Sequence, residues 1–118
     1  MIARLTAVLL VCAGLLFGAD IAGKWTAVFE TQIGTQSYTY EFEVTGEKLT
    51  GRAVSANGES QLLEGKVSGD TVTFVENLNF QGMPIRIEYT GKISGDEIKF
   101  TRKVAEFAVE ELVAKRSK

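Results

Sequence analysis

Apolar and polar residues alternate along most of this chain, and short Gly-acid pairs punctuate the alternation. The clearest copies read Gly65-Lys66-Val67-Ser68-Gly69-Asp70-Thr71-Val72-Thr73-Phe74 and Gly91-Lys92-Ile93-Ser94-Gly95-Asp96-Glu97-Ile98-Lys99-Phe100. A looser copy runs Phe42-Glu43-Val44-Thr45-Gly46-Glu47-Lys48-Leu49-Thr50-Gly51. A Gly-acid pair between period-two segments predicts a two-residue β-hairpin with glycine at the first turn position.

Reading outward from these turns gives a strand over residues 23–30 with Trp25, Ala27 and Phe29 inward, and one over 36–44 with Tyr38, Tyr40, Phe42 and Val44 inward. Residues 48–55 turn Leu49, Gly51 and Ala53 inward; residues 61–67 turn Gln61, Leu63, Gly65 and Val67. Next come 71–78 with Val72, Phe74, Glu76 and Leu78, and 84–93 with Ile85, Ile87, Tyr89, Gly91 and Ile93. The seventh, 97–104, presents Ile98, Phe100, Arg102 and Val104. The tail is rich in helix formers and places Val104, Phe107, Ala108 and Leu112 at helical spacing. Residues 110–116 are nevertheless read as an eighth strand, because seven strands need a partner for the first one to remove the sheet's edges.

Two-residue turns fix register, so Val44 is expected opposite Leu49, Val67 opposite Val72 and Ile93 opposite Ile98. One step on, Phe42 meets Gly51, Phe74 meets Gly65 and Phe100 meets Gly91. A ring facing a glycine in each hairpin is what the narrow bore of an all-β, eight-stranded antiparallel up-and-down barrel requires. The three Gly-acid turns then share one plugged end with Trp25. The opposite end is expected to carry longer, less regular connections near 31–36, 56–60, 79–83 and 104–109, as at a ligand-binding mouth. A plain turn at Asn57-Gly58 would put Leu62 rather than Leu63 opposite Ala53, so a glycine bulge or a longer loop is expected there.

Composition changes the picture at the amino terminus. Arg4 followed by the apolar run from Leu5 to Phe17 has the form of a secretory signal, with cleavage placed after Ala19. Residues 20–118 then form one domain of 118 − 19 = 99 residues, with no membrane span left, secreted or periplasmic. Arg4 is the one charge removed, which leaves 12 basic against 15 acidic residues and argues against nucleic acid as a partner. Cys12 is the chain's single cysteine and there is no histidine, so the usual metal ligands, thiol nucleophile and general base are missing together. No cofactor, metal or enzymatic activity is expected.

Gly23-Lys24-Trp25 at the start of the first strand, with Arg116 near the end of the eighth, resembles the calycin pattern of lipocalins, fatty-acid-binding proteins and avidins. In lipocalins a Gly-x-Trp tryptophan packs against a basic side chain at the closed end, so the resemblance implies a Trp25–Arg116 cation-π contact. With its Ala114-Lys115-Arg116 finish, the mature chain also looks like small exported bacterial proteins of unassigned role. Trp25 is its only tryptophan, so the several that line an avidin's biotin site have no counterpart.

Three charged residues carry inward parity: Glu76, Arg102 and Glu110. Charge on an interior face is costly unless paired or hydrated. Glu76 is expected opposite Leu63 and Arg102 opposite Tyr89, with the strand over 84–93 between them. Together with Tyr38, Tyr40, Gln61 and Tyr89 they form a candidate polar anchor suited to a small amphipathic or anionic ligand, in a barrel expected to take a small hydrophobic or amphipathic molecule at its open end. The alternative is a structural ion pair in a filled barrel that serves as a protein-interaction or inhibitor module; a Glu76–Glu110 hydrolytic pair ranks last. Val54, Leu62 and Val75 share outward parity on neighbouring strands and form a candidate homodimer patch.

Overall fold

In the computed structural model the described residues are 20–31, 33–56 and 58–117, with the side chain of Phe80 excepted; residues 1–19, the proposed signal, lie outside them. Alternation becomes strand almost throughout. The strands are β1 (Gly23–Thr31), β2 (Gly34–Thr45), β3 (Lys48–Ser55), β4 (Gly58–Gln61), β5 (Leu63–Ser68), β6 (Thr71–Phe80), β7 (Met83–Ser94), β8 (Glu97–Val104) and β9 (Ala108–Arg116). β4 and β5 are two halves of one strand broken at Leu62, since both pair with β3. All neighbours are antiparallel, and β2–β3 and β1–β9 pairings close the sheet into an eight-stranded up-and-down barrel of calycin-like form.

The tail is strand despite its helical propensity. β9 runs the length of β8, from Val104↔Ala108 to Glu97↔Lys115, and sheet pairing outweighs a local preference worth at most about 0.7 kcal/mol per residue.

At the base, the three Gly-acid turns are the expected two-residue reversals. Gly46, Gly69 and Gly95 have φ of 63°, 61° and 61° while the acid that follows is not left-handed, the pattern in which only glycine is free of a Cβ clash. The repeated template also links the hairpins to one another. The carbonyl of each turn's acid accepts from a later strand: Glu47 from Val67 N–H, Asp70 from Ile93 N–H and Asp96 from Arg116 N–H, at 2.7–2.9 Å.

The expected pairs Val44↔Leu49, Val67↔Val72, Ile93↔Ile98, Phe42↔Gly51 and Phe100↔Gly91 are all present. A Cβ on Gly91 would lie 2.6 Å from the Phe100 ring, so the ring occupies the missing side chain's space. At Gly51 the obstacle is instead backbone, the Glu41 carbonyl oxygen at 1.8 Å. Phe42, Phe74 and Phe100 are all buried and stack with Tyr40 and Tyr89 into one aromatic core.

Strand four departs from expectation. Ser55 pairs with Gly58, one residue earlier than a turn at Asn57-Gly58 would allow, and Ser60 rather than Leu62 or Leu63 faces Ala53. The irregularity expected at Asn57-Gly58 sits lower, where Glu64 (φ 53°) and Gly65 together oppose Phe74. One extra residue in a strand reverses the parity of everything beyond it. Leu62 therefore points into the core at 4% exposure, while Gln61 is exposed and Leu63 is 37% exposed. Leu63 faces Val75, not Glu76. With Leu62 interior, Val75 only 5% exposed and Val54 half-buried, these three residues do not form an outer apolar patch.

The mouth also differs. Three of its connections join strands whose last pairs, Thr31↔Gly34, Ser55↔Gly58 and Phe80↔Met83, leave only two residues between them. The fourth, Val104↔Ala108, leaves three. The opening comes from the walls and not from long loops. β1 and β9 share the pairs Trp25↔Arg116 and Thr26↔Lys115, near the base, and the β5–β6 ladder ends at Leu63↔Val75. Among the described residues no strand pairing joins β1 to β9 or β4 to β6 above those levels. The upper barrel is thus two walls, β1–β4 and β6–β9, standing on a common base.

Candidate functional site

The base is sealed by Trp25 and Arg116. Trp25 is fully buried and donates its indole N–H to the Ile21 carbonyl at 2.9 Å. The Arg116 guanidinium lies 4.6 Å from the Trp25 ring centroid, the cation-π contact that the resemblance implied. It also donates to Asp96 Oδ1 and to the carbonyls of Asp20 and Ala22 at 3.0–3.2 Å, tying residues 20–22 to the last base turn.

Above the aromatic core lies a polar layer assembled from both walls. Tyr38 and Tyr40 come from β2, Glu76 from β6, Tyr89 from β7, Arg102 from β8 and Glu110 from β9. Strict alternation places each inward, and the Tyr89↔Arg102 and Arg102↔Glu110 pairs align three of them at one height. Six of the seven residues singled out from the sequence meet here; Gln61 does not, because the bulge at Glu64-Gly65 turns it to solvent.

The hydrogen bonds have one consistent direction. Tyr89 and Tyr38 donate to the two oxygens of Glu76 at 2.9 and 3.2 Å. With its proton committed, Tyr89 accepts from Arg102 Nε at 2.8 Å, so Tyr40 is the donor in the 3.0 Å contact between the two phenols. Arg102 donates further to Tyr38 at 3.2 Å and to Glu110 Oε1, and stands 3.9 Å from Glu76. Its guanidinium carbon lies 5.3 Å from the Phe29 and Tyr38 ring centroids and 5.6 Å from that of Tyr89. No buried side-chain polar atom lacks a partner among the described residues. The two phenols carry the guanidinium's charge to Glu76 without close ion-pair contact.

Burial governs the protonation equilibria. It pushes Glu76 above the usual carboxylate range, against the opposing pull of the Tyr89 hydrogen bond, the Arg102 charge and hydrogen bonds from Tyr38 and Ser60. It raises Tyr38 to about 12 and moves Tyr40 and Tyr89 upward as well, so all three phenols keep their protons.

A cavity of about 750 Å³ opens above this layer. Tyr38, Arg102 and Glu110 form its floor, while Glu76, Tyr40 and Tyr89 lie beneath and do not line it. Its sides are Leu78, Ile85, Ile87 and Val104, and Ile33 and Phe107 on turns and Met83 at the start of β7, each 57–62% exposed, stand at its rim. Sequence reasoning misses Ser60 and the rim residues alike, because it places residues 31–36, 56–60, 79–83 and 104–109 in irregular connections, whereas Ser60 lies in β4. A lone apolar residue within or beside a short turn was the available signal. Phe29 was placed inward but not recognised as the face beneath Arg102.

A plugged base, an aromatic lower core and an upper cavity with a polar floor define the chain architecturally as a calycin-like barrel. No protein-family model, curated protein or solved structure matches the chain, so that likeness rests on the fold alone. Among the described residues no cluster of metal-ligating side chains occurs, and no helix is long and apolar enough to cross a membrane.

Proposed function

We propose that this is an exported binding protein, not an enzyme, that takes a small hydrophobic or amphipathic molecule into the cavity between its two walls. The observation that supports it is the rim. Ile33 and Phe107 on two separate turns, and Met83 at the first residue of β7, hold apolar side chains in solvent, all bordering one aliphatic cavity. Exposed apolar groups converging on a concavity are a feature of ligand sites. The polar floor would orient a ligand entering head first, and the apolar sides would take its body.

Ile85 lines the cavity and is only partly buried, so Ile85→Trp fills the space from a position that tolerates bulk. The expected result is that Nile red fluorescence, enhanced by the natural chain, is lost in Ile85→Trp with an unchanged melting midpoint. Equal dye uptake by the two proteins would show that the cavity is not the site. Absence of uptake by either would favour the rival, a barrel that displays its rim to another protein.

A further inference from the structure

Counting charge at the cavity floor narrows the ligand class, an inference that rests on the binding reading above. Arg102 is the only cation among the residues that line the cavity, and each of its three nitrogens already donates, Nε to Tyr89, Nη1 to Glu110 and Nη2 to Tyr38. Two carboxylates flank it, Glu110 on the floor and Glu76 directly below. With both ionised, the group carries one net negative charge; with Glu76 protonated it is neutral. In neither state is there spare positive charge. Asn77, Asn79 and Gln81 on the upper sides are uncharged, and Glu59, the other charged lining residue, is acidic and held by Arg52 outside the barrel.

A ligand carboxylate reaching Arg102 would either displace Glu110, whose side chain is only 9% exposed, or take an N–H left over beside it. The first leaves a part-buried carboxylate without its cation, and the second crowds a further like charge against Glu110 around one guanidinium, so both are penalised. A hydroxyl, amide or ammonium group meets the opposite situation. A carboxylate offers about four acceptor positions, and Glu110 presents its group at the cavity floor, where a donor head can add a bond without removing one.

We infer that the cavity selects molecules that join an apolar body to a hydrogen-bond-donating head without negative charge, an alcohol, amide or ammonium, and turns away carboxylates. Glu110 is the residue that determines this selectivity.

The test is displacement of Nile red from the full mature domain at neutral pH by decan-1-ol, decanamide, decylamine and decanoate, which share one chain length and differ in head. The first three are expected to displace the dye at concentrations about tenfold or more below that of decanoate. Glu110→Gln should narrow the gap between decan-1-ol and decanoate to about threefold or less, because it frees the Arg102 charge. Near-UV circular dichroism checks that this variant keeps the native packing. Decanoate binding as tightly as decan-1-ol to the natural chain would overturn the inference and leave the cavity reading standing. A protein that binds neither the dye nor any of the four probes overturns both.

Discussion

The two ends of this barrel solve the problem of a filled interior differently. At the base, rings and glycines interlock: Phe100 occupies the space over Gly91, Trp25 is capped by Arg116, and each turn's carbonyl is bonded to a later strand. At the mouth, two walls without shared rungs are held together by side chains, namely Tyr38 with Glu76 and Arg102, and Tyr40 with Tyr89. Packing secures the first end and a hydrogen-bonded network the second. Deleting packed apolar volume leaves a cavity that nothing fills, whereas a buried charge network can be exchanged for apolar groups with little loss.

The largest expected effect follows at the base. Trp25→Ala should cost about 3–5 kcal/mol, read from urea midpoints, because it removes the largest fully buried side chain and the face on which Arg116 rests. Loss near zero would mean that the base does not carry the fold.

At the mouth, Arg102→Met should cost about 3 kcal/mol by leaving Glu76 and Glu110 without their shared cation. The triple variant Arg102→Met/Glu76→Leu/Glu110→Leu is expected to recover most of that loss. Recovery would separate the network from the packing below it, while a triple variant as unstable as the single one would erase the distinction drawn between the ends.

Gly91→Ala tests the interlock on a smaller scale. The added methyl meets the Phe100 ring, and a penalty of about 1–3 kcal/mol is expected by the same urea measurement. Restoring stability with Gly91→Ala/Phe100→Leu would show that the ring, not the backbone, sets that limit.

The smallest effect is on pH dependence. Glu76 titrates above its ordinary value in the folded state, so its protonated form favours folding. Its contribution is fully present below about pH 4.5, the unfolded value, and is lost as pH rises through the raised folded value. The natural chain should therefore lose stability over that interval relative to Glu76→Gln. Exposed Glu41, Glu64 and Asp70 have values lowered by Arg52, Arg86 and Lys92, and act in the opposite sense at lower pH. They are common to both proteins and cancel in the difference. Parallel stability curves for the two proteins would remove Glu76 from the pH response.

Much of this layout was legible in the sequence because a two-residue turn transmits phase along both of its strands. From Gly46, Gly69 and Gly95 parity runs unbroken to Tyr38, Glu76, Tyr89 and Arg102, and across the β8–β9 ladder to Glu110. It failed beyond Glu64. A single residue entering the left-handed region shifts phase by one, and glutamate gives no local sign that it will do so. Gln61, Leu62 and Leu63 were all assigned to the wrong face for this one reason. The mouth was misread for another: the strands run on to Thr31, Phe80 and Met83, so residues expected in loops belong to sheet.

The shortness of the β1–β9 ladder leaves that seam of the upper barrel side by side but without registered rungs. Spreading the lip strains phenol and guanidinium contacts but ruptures no rung of the sheet. Substitutions around the rim can therefore change the bore while the foot, pinned by its glycines, keeps the fold in register.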